Sequence, residues 1–216
     1  MGAITRSIAN NITTSGVFTS SAITNNSVTG ITVLPNAEDG ITLISSQTAS
    51  NSASISFTSG LTSTYKAYKF VFSNIHPATD AAEFTFNLST DSGANYNVTK
   101  TTTFFSAYHD EADTATLLGY ETGKDLAQST GEQELAENVG NGADECVSGT
   151  LTLFSPSSTT FVKHFIAGTN VYMNANYSIN AYIAGYANTT SAVNGIRFKF
   201  SAGNIDEGTI YLYGIK

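Results

Sequence analysis

Between His109 and Glu145 the chain carries ten carboxylates, Asp110, Glu111, Asp113, Glu121, Asp125, Glu132, Glu134, Glu137, Asp144 and Glu145, against a single cation, Lys124. That concentration of hard oxygens admits two kinds of chemistry. A pair of carboxyls about 5–9 Å apart can act as acid and base or nucleophile on a glycosidic bond. Converging carboxylates can also ligate Ca²⁺. Asp110, Glu111 and Asp113 are the candidate Ca²⁺ ligands, with Glu132, Glu134 and Glu137 as a second group, although neither spacing matches an EF-hand loop. Glycosidases commonly pack tryptophan against their sugar, and this chain has no Trp. The other carboxylates, Glu38, Asp39, Asp80, Glu83, Asp91, Asp206 and Glu207, fall in candidate turns or at strand starts, where capping and solvation account for them. Solvation is the simpler account of the acidic stretch as well. Residues 109–145 are therefore read as a long acidic insertion between strands and not as an enzyme's site, with Ca²⁺ the only cofactor left open.

The remaining reactive side chains are scattered. His76 precedes Pro77 and His164 sits in the apolar stretch 161–166, so both read as turn or packed histidines. His109 adjoins Asp110 and Glu111, but neighbours on a strand point to opposite faces. The lone Cys146 excludes a disulfide framework and a Cys-based zinc site. It follows Asp144 and Glu145, whose charge raises a thiol's pKa instead of activating it. No H-E-x-x-H, phosphate-binding glycine loop or G-x-S-x-G elbow is present. Tyr172, Tyr177, Tyr182 and Tyr186 are the candidate glycan-binding residues, with core and edge packing as their alternative role.

Strands must position these side chains. Ile55 and Phe57, Phe84 to Leu88, Leu151 and Leu153, Ile179 and Ile183, and Ile196 to Phe200 recur at the period of two that a half-buried strand requires. Shorter candidates lie at 41–44, 68–72, 100–106, 160–166 and 209–215, separated by turn chemistry such as Asp91-Ser92-Gly93 and Ala202-Gly203-Asn204. Roughly ten strands, with no amphipathic helix long enough for a crossover, predict an all-β fold. The form expected is an antiparallel β-sandwich of jelly-roll type over residues 39–216. Only 12% of the 216 residues are charged, and Ser, Thr and Asn make up roughly a third of the chain. The formal charge of −8 argues against a nucleic-acid groove, and since the acidic stretch alone nets −9 the rest is close to neutral. No apolar run approaches the ~20 residues of a membrane span, and residues 1–12 hold no hydrophobic signal core.

Residues 1–38 are composed differently. Isolated apolar side chains, Ile4, Ile8, Ile12, Val17, Phe18 and Ile23 among them, are spaced through Ser, Thr, Asn and Gly, and Tyr is absent. Two weak copies, Asn10-Asn11-Ile12 leading to Gly16 and Asn25-Asn26-Ser27 leading to Gly30, suggest an extended repeat. One chain cannot bury so sparse a stripe, so these residues are the candidates for association. They are read as an N-terminal arm that intertwines in a homotrimer or attaches to a partner's surface.

Several phrases resemble a known family. Ile55-Ser-Phe-Thr-Ser-Gly-Leu61, Ile75-His-Pro-Ala-Thr-Asp80, the run from Leu153 to Phe165, Ala184-Gly-Tyr-Ala-Asn-Thr-Thr190 and the ending from Gly208 to Ile215 resemble small virion-associated proteins of marine tailed bacteriophages. The likeness covers most of the chain from about Ile41 onward, while the arm is more loosely similar to the N-terminal segments of phage fibre and decoration proteins. The resemblance implies a non-enzymatic, oligomeric structural protein on the virion exterior, assembled in the host cytoplasm. The expected partners are further copies of the chain and other virion proteins such as the major capsid protein or the tail. Head decoration is the first reading and a tail-fibre tip or adaptor that binds a host glycan or outer-membrane protein the second. A glycan depolymerase is the remote third.

Overall fold

The period of two becomes twelve strands in the computed structural model, which describes residues 40–216. They are β1 (Ile41–Thr48), β2 (Ile55–Phe57), β3 (Ala67–Pro77), β4 (Ala82–Ser89), β5 (Lys100–Asp110), β6 (Thr116–Tyr120), β7 (Gln133–Val139), β8 (Val147–Phe154), β9 (Lys163–Met173), β10 (Tyr177–Ala187), β11 (Gly195–Phe200) and β12 (Ile205–Ile215). Every ladder is antiparallel and no helix forms among the described residues, so the all-β class holds. Residues 40–216 make one contact unit. The association candidates Ile4, Ile8, Ile12, Val17, Phe18 and Ile23, and the boundary at 38/39, lie outside the described residues.

Each stretch read from the sequence overlaps a strand, the candidate at 160–166 only from Lys163 onward; β6 forms on the short apolar stretch 116–120 of the acidic segment, and β7 is additional. Both arise within 109–145, where a solvated insertion is expected. For β7 that expectation is corrected: Gln133, Leu135, Ala136 and Val139 are fully buried, and the strand pairs with β4 from Phe86↔Gln133 to Ala82↔Val139. Its alternation is hidden because Gln133 points inward, where its side-chain carbonyl accepts the Thr102 hydroxyl at 2.5 Å and its amide donates to Lys124 O at 3.0 Å.

Hydrogen bonding runs through eight strands in the order β1-β12-β3-β8-β9-β10-β5-β6 and through four in the order β7-β4-β11-β2. The two runs meet as a ladder only at Val139↔Met173. Four pairs are nested in sequence, β1 with β12, β2 with β11, β3 with β8 and β4 with β7, and the hairpins β5–β6 and β9–β10 are inserted within the nest. The core fills between strands that share no ladder. Phe198 on β11 has its ring 5.3 Å from Phe70 and 5.1 Å from Phe72, both on β3, and Phe86 on β4 meets Phe165 on β9 at 5.1 Å. These edge-to-face and tilted contacts are the geometries aromatic quadrupoles favour.

Glycine is needed where backbones close in. At Gly149 on β8 a Cβ would stand 2.4 Å from the Gly168 carbonyl oxygen of β9. Gly208, at φ +112°, sits beside the register shifts of β12 against β3, facing Asn74 at φ +51°.

Candidate functional site

β10 pairs with β5 along its whole length, and that register brings the acidic stretch to the tyrosines. Tyr177 stands opposite Asp110 and Ser178 opposite His109, while on the other side Ser178 faces Tyr172 of β9. Tyr172, Tyr177, Asp110 and Glu111 border one shallow cleft of about 280 Å³. The other two candidates do not join them. Tyr182 and Tyr186 lie farther along β10 on the face opposite the buried Ile179, Ala181 and Ile183; Tyr182 stacks on Phe105 at 5.1 Å and Tyr186 lies 6.2 Å from His164. Tyr177 keeps to the core face, edge-on to Tyr108 at 5.4 Å.

The three candidate Ca²⁺ ligands take separate partners. Asp110 is buried, and its carboxylate closes the β5–β6 turn by accepting the Thr114 and Ala115 amides at 2.8 and 2.7 Å and the Thr114 hydroxyl at 2.5 Å. Those bonds hold its pKa below the usual carboxylate range. Glu111 lies by Tyr172 and raises the phenol's pKa, while the Tyr172 hydroxyl donates to Asn176 Oδ1 at 3.3 Å. Asp113 lies 3.0 Å from His109 Nε2 in the open. No group of three or more His, Cys, Asp or Glu side chains able to hold a metal ion forms among the described residues. Asp91 shows the turn role expected of the dispersed carboxylates: Ser89 and Asn95 donate to it and lower its pKa to about 2.

The loop between β7 and β8 joins a second, larger cleft of about 640 Å³, where Asp144, Glu145 and Cys146 meet His76, Asp206 and Glu207. His76 Nε2 lies 3.1 Å from Gly142 O and its Nδ1 3.7 Å from Asp206. Burial and Asp144 both push the Cys146 thiol up, as its sequence neighbours imply, so it is held as a neutral thiol.

Three features escape a reading by motif. Lys100 and Lys163 are completely buried at the starts of β5 and β9, both opposite Ala187, and are held by carbonyl oxygens: Lys100 donates to Asn87 Oδ1 at 2.6 Å and Val98 O at 2.9 Å, Lys163 to Phe161 O and Thr189 O. Burial lowers Lys100 to about 8, with Glu132 opposing. Glu132 pairs with Arg197 at 2.5 Å, and the guanidinium lies 4.5 Å over the Tyr96 ring. Glu134 is the most perturbed carboxyl: burial raises it to about 7, Lys124 acts against the rise, and Glu83 and Glu137 add to it. One of its oxygens is buried with no hydrogen-bond partner. Lys100 and Lys163 occupy the inward phase of β5 and β9, a phase that hydrophobic periodicity alone does not assign to a charged residue.

Glu134 sets a pH dependence. Its folded pKa of about 7 exceeds the ordinary 4.5, so between those values the folded chain holds a proton that the unfolded chain has released. Stability therefore falls as pH rises through that window, and the loss persists above it. Glu134→Gln is expected to be more stable than the parent by about 1–2 kcal/mol above neutrality, the full shift being discounted for partial exposure, with the difference vanishing below the ordinary carboxylate pKa. Urea unfolding at mildly acidic and mildly alkaline pH checks this. A variant less stable than the parent on the alkaline side would mean that Lys124 holds Glu134 as a carboxylate.

Comparison of the chain with protein families, with curated proteins and with solved structures finds no match.

Proposed function

We propose that this chain is a non-enzymatic structural protein of the exterior of a tailed-phage particle, a head decoration protein that attaches and self-associates, as a homotrimer, through residues 1–38 and presents a jelly-roll β-sandwich outward. The observation that carries the reading is the nested pairing of β1 with β12, β2 with β11, β3 with β8 and β4 with β7. Folding a long antiparallel ribbon of eight strands back on itself gives that nesting. It divides the strands into β1-β12-β3-β8 and β2-β11-β4-β7, which are the two layers of the sandwich in this reading. The aromatic contacts from β11 and β4 to β3 and β9 support face-to-face layers. Jelly rolls recur in viral capsid and lectin domains, so the support is an analogy at the level of fold. The sequence resemblance to virion proteins selects the capsid side of it.

The cleft that joins Tyr172 and Tyr177 to Asp110 and Glu111 favours a second reading, a tail-fibre tip or adaptor that binds a host glycan or outer-membrane protein at that end. Immunogold labelling of particles of the phage that encodes the chain separates the two. Gold over heads is the expected result, gold at the tail transfers the proposal to the second reading, and particles with no label overturn both. Deleting residues 1–38 is expected to leave a folded domain that no longer associates with heads.

A further inference from the structure

The strand β6 ends the eight-strand run, and nothing among the described residues pairs with its far side. Its hydrogen-bonding phase can be read from the ladder. Asp110 N–H donates to Ala115 O and Glu121 N–H to Phe104 O, at 3.1 and 2.9 Å. Hydrogen-bonded pairs alternate along an antiparallel ladder. In the register Tyr108↔Leu117 and Ser106↔Gly119, Leu117 and Gly119 therefore turn their N–H and C=O toward β5. Thr116, Leu118 and Tyr120 turn theirs outward, six main-chain groups that only another strand satisfies in order.

The side chains of this edge lack the usual protection. Natural edges are blunted by Lys, Pro, inward charge or a covering loop. β6 reads Thr-Leu-Leu-Gly-Tyr, with Leu117, Leu118 and Tyr120 at 50%, 71% and 51% exposure. On the outer face Tyr120 continues a row through Phe105 to Tyr182, also exposed. An uncharged strand within a stretch that nets −9 is a place where two copies can approach without like charges facing each other.

We propose that β6 is a docking edge for a second copy of this chain, the two β6 strands pairing antiparallel about a two-fold axis through Leu118. The phase selects this occupant. With three outward residues and Leu118 at the centre, the two-fold sets Leu118 against its own mate and Thr116 against Tyr120 in both directions, all as hydrogen-bonded pairs. Every outward N–H and C=O on both copies is then satisfied. The contact is isologous and closed, and the eight-strand run continues into the partner's. Leu–Leu and Thr–Tyr are favourable cross-strand neighbours. The inference is independent of where the protein is located.

Cysteine placement tests the geometry in the full-length chain with Cys146→Ser. Mates in a hydrogen-bonded pair have Cα atoms about 5.5 Å apart, within the span of a disulfide. Leu118→Cys is therefore expected to give a disulfide-linked pair on mild oxidation. Leu117→Cys, whose mate across the axis is Gly119, sits about 7–8 Å from its own copy and is expected to link at least tenfold more slowly. Leu118→Lys, an exposed substitution that leaves the circular dichroism unchanged, places two ammoniums on the axis and is expected to reduce the sedimentation mass at least twofold. Equal linking of the two cysteine variants, an unchanged mass for Leu118→Lys, or a parent chain already at the mass of one copy overturns the proposal.

Discussion

Removal of residues 210–216 is expected to leave no folded domain. β12 lies between β1 and β3 and pairs with both almost to its end, Ile215 facing Ile41 on one side and Ala67 on the other. Ile210 and Leu212 are completely buried in the shared core. Truncating a buried Leu or Ile to Ala costs about 2–5 kcal/mol each, and the deletion also removes nearly all of the ladder that joins β1 to β12. A domain's whole stability is about 5–15 kcal/mol, so the loss is comparable with everything available. Circular dichroism and gel filtration of the truncated chain check the expectation. A soluble product with a cooperative melt would show that β1 and β3 close without β12. Removing the exposed Lys216 alone is the control and is expected to leave the melt unchanged.

The same strand shows what the sequence makes legible. Residues 209–215 alternate and run apolar, and the reading places them inside a sheet, where β12 has neighbours on both sides. The all-β class and the strand positions follow from such local patterns, because burial of one face writes a period of two. Which strand pairs with which does not follow. The nesting of β1 with β12 and β2 with β11 depends on contacts across more than 130 residues, and nothing local marks them. β7 is hidden for a different reason. Gln133, Glu134 and Glu137 are placed in or beside the core because specific partners, Thr102 for Gln133 and Lys124 for Glu137, receive them, and composition cannot name partners. The candidate site divides along the same line. The meeting of the acidic stretch with Tyr172 and Tyr177 is a consequence of the β5–β10 register, whereas Tyr182 and Tyr186 are close in sequence but sit elsewhere, since about 3.3 Å of rise per residue carries them away along the strand. Asp110 looks like a metal ligand as a residue type, and the turn it closes uses both of its oxygens.

Phe198→Ala is expected to cost about 3–5 kcal/mol, the range for a buried aromatic truncated without repacking. Phe198 is fully buried on β11, and its ring lies within 6.4 Å of four others: Phe70 and Phe72 on β3, and Phe84 and Phe86 on β4. Phe105→Ala removes the same side chain from an exposed place on β5, so a cost below about 1 kcal/mol is expected there. Chemical denaturation of both variants gives the contrast, and midpoints that fall equally would mean that the Phe198 site collapses to refill its space. The pair Phe198 and Phe72 carries more information than either residue alone. β11 and β3 share no ladder, so any coupling between these side chains comes through ring contact and not through backbone pairing. A double-mutant cycle with Phe72→Ala is expected to return about 0.5–1.5 kcal/mol. Coupling of that size is what two packed layers require, and a cycle that closes at zero would remove the energetic basis for reading the two strand runs as the faces of one sandwich.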